Sequence, residues 1–222
     1  MRKINKRQPH EEFIKFKKNN PKQWSEFSNA TINNGEKLST FIRKYILDTE
    51  QGGLGGYTEI PLTLDQSHIG HFRKRECYPK LTFCWENMIV DQKDITEYGA
   101  GAKDNQINLD NCENYYHRII DPTQEDPHQY FDYSLSGEII PKYGLNDELK
   151  EKAMTTIEVF NLNHHKLISR RNELGKGVIS ITKEIKDKEK IKECFCSRGF
   201  PSFLEFIIEN QRYITESYKG VI

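Results

Sequence analysis

The chain has 222 residues, and its 33 Lys and Arg are balanced by 33 Asp and Glu, so the formal charge is zero. That length is enough for a real core in one large domain or two small ones, and 11% aromatic residues speak against a disordered chain. A protein that grips nucleic acid alone shows a basic excess, so any such activity here needs a local basic patch or a partner that supplies the grip.

No apolar run nears the roughly 18 residues of a membrane span. The charged start Met1-Arg2-Lys3-Ile4-Asn5-Lys6-Arg7 is followed by no apolar stretch, so neither a membrane partner nor a secretory leader is expected. Cys77, Cys84, Cys112, Cys194 and Cys196 are odd in number and form no Cys-x-x-Cys. This argues against a disulfide framework and a thiolate zinc site, and points to a reduced, cytoplasmic protein.

Along the chain, Pro9 with Glu11 and Glu12 marks a helix start, with lysines later and Phe13, Ile14 and Phe16 as the buried side. The first 22 residues carry eight basic side chains. They read as a solvated helix face with a frayed tail or as an arm that contacts phosphates. Leu38, Phe41, Ile42, Tyr45 and Ile46 predict a helix over 35–50, ended by Gly52 and Gly53. Tyr57-Thr58-Glu59-Ile60 predicts a short strand, residues 66–73 a second short strand or the entry to a turn, and 85–90 a short helix. Residues 91–114, rich in Gly, Asp and Asn, read as loop.

Residues 130–141 read as a hairpin turning at Ser136-Gly137. A helix capped by Asn146 or Asp147 follows, with Ala153, Ile157, Phe160 and Leu162 on its apolar side, and helical character continues through 163–174. The alternating charges of 182–193 suit a solvated helix, and Phe200 to Tyr213 a last amphipathic one.

The chemistry-bearing stretch is Ser67-His68-Ile69-Gly70-His71-Phe72-Arg73-Lys74, then Pro79, then Leu81-Thr82-Phe83-Cys84-Trp85-Glu86-Asn87. A histidine at a strand end precedes an asparagine by 16 residues. A neutral imidazole with one nitrogen fixed takes a proton from water at the other. A divalent cation beside it would stabilise charge developing on a phosphate. By spacing alone, a structural pair of histidines explains the pattern as well.

The order of these residues resembles the HNH endonucleases of retron and Septu anti-phage systems, the small nuclease subunit that accompanies an ATPase. Further stretches carry the resemblance: Tyr57-Thr58-Glu59 before the motif, Gly101-Ala102-Lys103-Asp104 after it, then Ile120-Asp121-Pro122-Thr123-Gln124-Glu125-Asp126-Pro127, Phe131-Asp132-Tyr133 and Gly137-Glu138-Ile139-Ile140-Pro141. Ala153, Thr156-Ile157, Leu162-Asn163, Leu167 and Arg170-Arg171 resemble the family's helical tail, so the match spans roughly residues 1–175.

The resemblance implies an α+β fold, a ββα-metal finger embedded in a mostly helical domain. The finger falls over 55–110, with a helical region over 1–54 and a hairpin and helical region over 111–222, together one compact domain. It implies a metal-dependent endonuclease in the cytoplasm, with Mg²⁺ as cofactor or Mn²⁺ in its place. His71 matches the general base and Asn87 the loop-fixing asparagine. Arg73, Lys74 and Arg75 are candidates for phosphate contact, and His68 and Asp104 for metal. The implied partners are an SMC- or ABC-like ATPase, a reverse transcriptase with its msDNA if the system is a retron, and a DNA or tRNA substrate.

The chain also departs from the family. Gly70 stands where Asp or Glu precedes the base, and the Cys pairs of some relatives are missing. Packing by Tyr57, Phe83 and Trp85 would have to hold the finger instead. His68, Asp91, Asp94 or Asp104 are alternatives for the absent carboxylate, and a hydrogen-bonded strand residue is the other reading of His68. A degenerate nuclease kept as an adaptor of the ATPase is the competing function. Elsewhere, His164 and His165 read as surface, Asp121, Glu125 and Asp126 as a turn or a cation site, and Cys194 and Cys196 as reduced thiols.

Overall fold

The computed structural model describes residues 1–182 and 184–210. Helix α1 (Glu11–Lys18) is capped by the His10 ring, has its acids first and its lysines last, and buries Phe13. Ile14 is 43% exposed, contrary to the predicted buried side, because the shallow helix inserts Phe13 and Phe16 instead. Helix α2 (Trp24–Asn29) buries Phe27, and α3 (Leu38–Thr49) buries Leu38, Ile42, Ile46 and Leu47. Gly52 and Gly53 follow with φ of +60° and +77°, the left-handed turn expected there.

Residues 57–60 do not form the predicted strand. Turns run through this segment, and only an isolated bridge joins Leu54 to Pro61. Glu59 itself sits at φ +61°, which no strand accommodates, and its buried carboxylate accepts from the Ser202 amide at 3.0 Å. Tyr57 is buried, with its ring 4.4 Å from that of Phe160.

Strand β1 (Ser67–His71) pairs antiparallel with β2 (Met88–Gln92), placing His71 opposite Met88, Gly70 opposite Ile89 and His68 opposite Asp91. The predicted helix at 85–90 is replaced by a single 3₁₀ turn, Trp85–Asn87, and then this strand. Met88, Ile89 and Val90 are all fully buried, and their β-prone run satisfies its backbone by pairing.

Residues 91–114 are not all loop. They contain α4 (Gly99–Gln106) and α5 (Cys112–Tyr116). The small, polar sequence of α4 has little helical drive of its own. It is held by packing against β2 and by the Asp91 carboxylate, which accepts from the Ala100 amide at 2.8 Å. Gly99 starts the helix at φ +67°, where a Cβ would lie 2.6 Å from that carboxylate. The order strand, strand, helix therefore occurs, shifted along the chain to 67–106.

The hairpin is β3 (Phe131–Tyr133) with β4 (Ile139–Pro141). Helix α6 (Asp147–Val159) begins at the Asn146 cap, and α7 (His165–Ile181) runs past the predicted end at 174. Helix α8 (Lys188–Phe195) starts where Asp187 caps it, so the charged run is helical only in its second half among the described residues. The last described helix is α9 (Pro201–Glu209). Residues 211–213, predicted to extend it, lie outside the described residues. Among the described residues the architecture is α+β with two small sheets, and no helix is long and apolar enough to cross a membrane.

Candidate functional site

Residues 72–87 connect the two paired strands, and Asn87 closes this loop at its base. Its Oδ1 accepts from the Arg73 amide at 2.7 Å, and its Nδ2 donates to the carbonyls of Arg73 and Leu81 at 3.0 and 3.2 Å. The Asn87 carbonyl also accepts from the Phe72 amide at 2.9 Å. The asparagine is buried, so each of its polar atoms is bound where water does not compete.

The fixed loop presents the Thr82 carbonyl to His71. The imidazole Nε2–H donates to it at 2.9 Å, and the bond assigns the tautomer. Nδ1 then keeps the lone pair. It makes no hydrogen bond and is not among the buried unpartnered atoms, so it is the nitrogen that solvent reaches. The ring is 7% exposed, lies edge-on to Trp24 at 4.8 Å, and is pushed down to a pKa of about 4 by burial. It is neutral at pH 7. Beneath it, the fully buried Lys103 ammonium donates to the His71 carbonyl at 3.0 Å and to Asp104 Oδ1 at 2.6 Å.

His71 lines an open pocket of about 330 Å³ with His68, Gly70, Lys74, Arg75, Glu76 and Asp104. Of the sequence-predicted residues, His68, His71, Lys74, Arg75 and Asp104 thus meet in one hollow, while Asn87 stands behind it and Arg73 is not in its wall. The Arg73 guanidinium lies over the rings of Tyr78 and Tyr116 at 5.2 and 5.3 Å. The Lys74 ammonium donates to the Asp104 and Ile107 carbonyls at 2.9 and 2.8 Å, capping the end of α4. Arg75 is exposed, its guanidinium 4.9 Å from the Trp24 ring.

Two donors for a divalent ion face the pocket. Asp104 offers an exposed carboxylate, one oxygen of which is tied to Lys103. His68 is half-buried with its Nδ1 buried and unpartnered, and burial lowers its pKa. Gly70 supplies no third. A Cβ there would meet Ile89 O at 3.5 Å and His68 Nε2 at 3.6 Å, ordinary contacts, so packing does not require glycine. Among the described residues, no group of three or more His, Cys, Asp or Glu is gathered for a metal. Mg²⁺ keeps most of its waters and leans on substrate phosphate. The donor set therefore fits a weakly held ion completed by water and phosphate, and does not fit a resident structural one.

Asp91 and Asp94 do not join this set. Asp91 is fully buried under α4, with its pKa raised to about 7 by burial. Asp94 lies in a turn at φ +59° beside Lys93, and neither lines the pocket. The aromatic packing expected in place of a zinc knuckle is divided: Trp85 is buried against Phe13, Phe83 stacks on Trp24, and Tyr57 lies on Phe160. Sequence reasoning missed Thr82 and Trp24. The first acts through a backbone carbonyl, which any residue carries. The second reaches the site from a helix 47 positions earlier (residue 24 to residue 71), with no local signal.

No protein-family profile matches the chain, and no curated protein matches it.

Proposed function

We propose that the chain hydrolyses phosphodiester bonds as the nuclease subunit of a bacterial anti-phage system of the retron or Septu kind. The reading places it beside an SMC- or ABC-like ATPase, with a reverse transcriptase and msDNA in the retron case, and with DNA or tRNA as target. The observation that carries it is the His71 ring, neutral, locked by one nitrogen and open to a pocket at the other. In the proposed step Nδ1 takes a proton from water, the water oxygen bonds to phosphorus, and the bond to the leaving sugar oxygen breaks. That oxygen then takes up a proton. Arg75 holds the phosphate by its charge, and Asn87 keeps the loop that fixes the ring. His68 and Asp104 would hold Mg²⁺ or Mn²⁺, which when bound offsets the charge building on the phosphate.

The test is cleavage of plasmid DNA and tRNA by the chain with its ATPase in Mg²⁺. Replacing His71→Ala is expected to slow cleavage by about 10²-fold or more, the usual worth of a general base. A variant that cuts as fast as the parent would refute the assignment.

A second reading rests on Gly70 and on the two-donor set: a degenerate nuclease kept as an adaptor. It predicts no cleavage by the parent, no effect of Gly70→Asp, and intact binding to the ATPase.

A further inference from the structure

Lys103 is the only buried lysine among the described residues, and its side chain lies fully out of water. Taking an ammonium out of water is costly, and an apolar side chain of similar length fills such a space without that cost. The needs of α4 do not explain it. The helix is held at its start by Asp91 and at its end by Lys74, which donates to the Asp104 and Ile107 carbonyls. Lys103 donates instead to Asp104 Oδ1 at 2.6 Å and to the His71 carbonyl at 3.0 Å, and both of these residues line the hollow.

The wall of the hollow carries two acids, Glu76 and Asp104, and two cations, Lys74 and Arg75. The Lys74 ammonium stands 3.9 Å from Glu76, and Lys103 holds Asp104 from behind the wall. Arg75 is in no ion pair among the described residues. Each acid thus has its cation, and one positive charge is left over. The Asp104 carboxylate is 44% exposed, but the ammonium beside it is dry, so water and salt screen its charge little. Burial first, and then the charges of Arg75 and Lys103, lower the His71 pKa, so the field of the ammonium reaches the hollow. A divalent ion arriving at Asp104 by itself meets an oxygen already engaged and a poorly screened like charge. A phosphate oxygen at the ion supplies a further donor, and its negative charge offsets the excess.

We propose that Lys103 is the resting counter-ion of Asp104, and that the hollow takes up a divalent ion together with a phosphodiester rather than ahead of it. Lys103 touches neither solvent nor substrate; it is a positioning residue that acts through Asp104. The inference rests on the hydrolase reading for the identity of the phosphate, not for the affinity of the ion.

The experiment uses the full-length chain with Mn²⁺ as the probe. Lys103→Met deletes the charge and leaves the partly exposed Asp104 carboxylate to water. By calorimetry it is expected to bind Mn²⁺ at least about tenfold more tightly than the parent. Adding Asp104→Asn should abolish the gain. Lys103→Gln drops the charge but keeps a donor for the His71 carbonyl, and it reads the same gain if circular dichroism shows Lys103→Met unfolded. A second measurement needs the parent alone. Bound Mn²⁺ broadens nearby proton lines, and the His71 Cε1 line should broaden at about tenfold lower Mn²⁺ when the deoxydinucleotide TpT, which carries one phosphodiester, is present at millimolar concentration.

Unchanged or weaker Mn²⁺ binding in the charge-deleted variants would overturn the counter-ion, and so would a gain that survives Asp104→Asn. Equal broadening with and without TpT would overturn the joint uptake of ion and phosphodiester. Cleavage that depends on His71, with no change of Mn²⁺ affinity in Lys103→Met, refutes the counter-ion and leaves the hydrolase. The expected Mn²⁺ gains with no cleavage by the parent refute the hydrolase and leave the counter-ion.

Discussion

Replacing Asn87→Ala removes three side-chain hydrogen bonds at once, to the Arg73 amide, the Arg73 carbonyl and the Leu81 carbonyl. At about 1 kcal/mol net for each buried bond, the loss is about 3 kcal/mol, before any penalty for leaving the loop's own groups without partners. For a chain of this size each kcal/mol lowers the Tm by roughly 2–4 °C, so a fall of roughly 6–12 °C is expected. If the chain cleaves as proposed, the effect on rate should exceed the effect on stability. The loop presents the Thr82 carbonyl that orients His71, and a displacement on the order of 1 Å at a reacting group costs about 10²-fold in rate. Asn87→Asp is a sharper probe, because it keeps shape and acceptor yet sets a carboxylate against two carbonyl oxygens. It should be no better than alanine. Circular dichroism melts follow the stability, an NMR titration of the His71 Cε1 proton follows the ring's surroundings, and the cleavage assay follows the rate. A Tm within about 2 °C of the parent together with an unchanged His71 pKa would refute the clamp.

Three further outcomes follow from the buried groups. The His71 resonance should titrate near pH 4, and Trp24→Ala, by admitting water to the ring, should move it toward the ordinary 6.5; a parent value above 6 would contradict the burial argument. Because the folded pKa lies below the unfolded one, His71 contributes stability above pH 6.5 that is lost as pH falls from 6.5 toward 4. Asp91 has the opposite sign: its carboxyl keeps its proton to about pH 7 when folded and loses it near 3.8 when unfolded, so stability falls as pH rises between those values. Asp91→Asn keeps an acceptor for the Ala100 amide and should flatten that decline in urea melts at pH 5 and 8; an undiminished slope would place the titrating group elsewhere. Gly70→Asp places its Cβ in ordinary contact and should bind Mn²⁺ at least about tenfold more tightly by calorimetry as a hard oxygen donor joins His68 and Asp104. Unchanged Mn²⁺ affinity would separate His68 and Asp104 from any shared ion.

His71 and Asn87 were singled out by the order of residues around them, through the resemblance, since their spacing alone fits a structural role as well; in the structure one ends a strand and the other sits just before its partner strand. Of the two paired strands, the one at 67–71 was legible and the one at 88–92 was not. Met88 to Val90 is a short apolar run, and such runs fit a helix or a buried strand equally until a partner strand decides. Helix α4 escaped notice because Gly99, Ala100, Gly101 and Ala102 carry no amphipathic stripe; Asp91 and close packing hold it, both effects of the folded chain. The basic triplet Arg73-Lys74-Arg75 reads as uniform in sequence. In space its three members go to two tyrosines, to the end of a helix and to the rim of the hollow.

The burial of His71 has a regulatory corollary. A ring that stays uncharged from mildly acid to alkaline conditions cannot be switched off by protonation inside a living cell. If it cuts, as proposed above, restraint has to come from outside the imidazole.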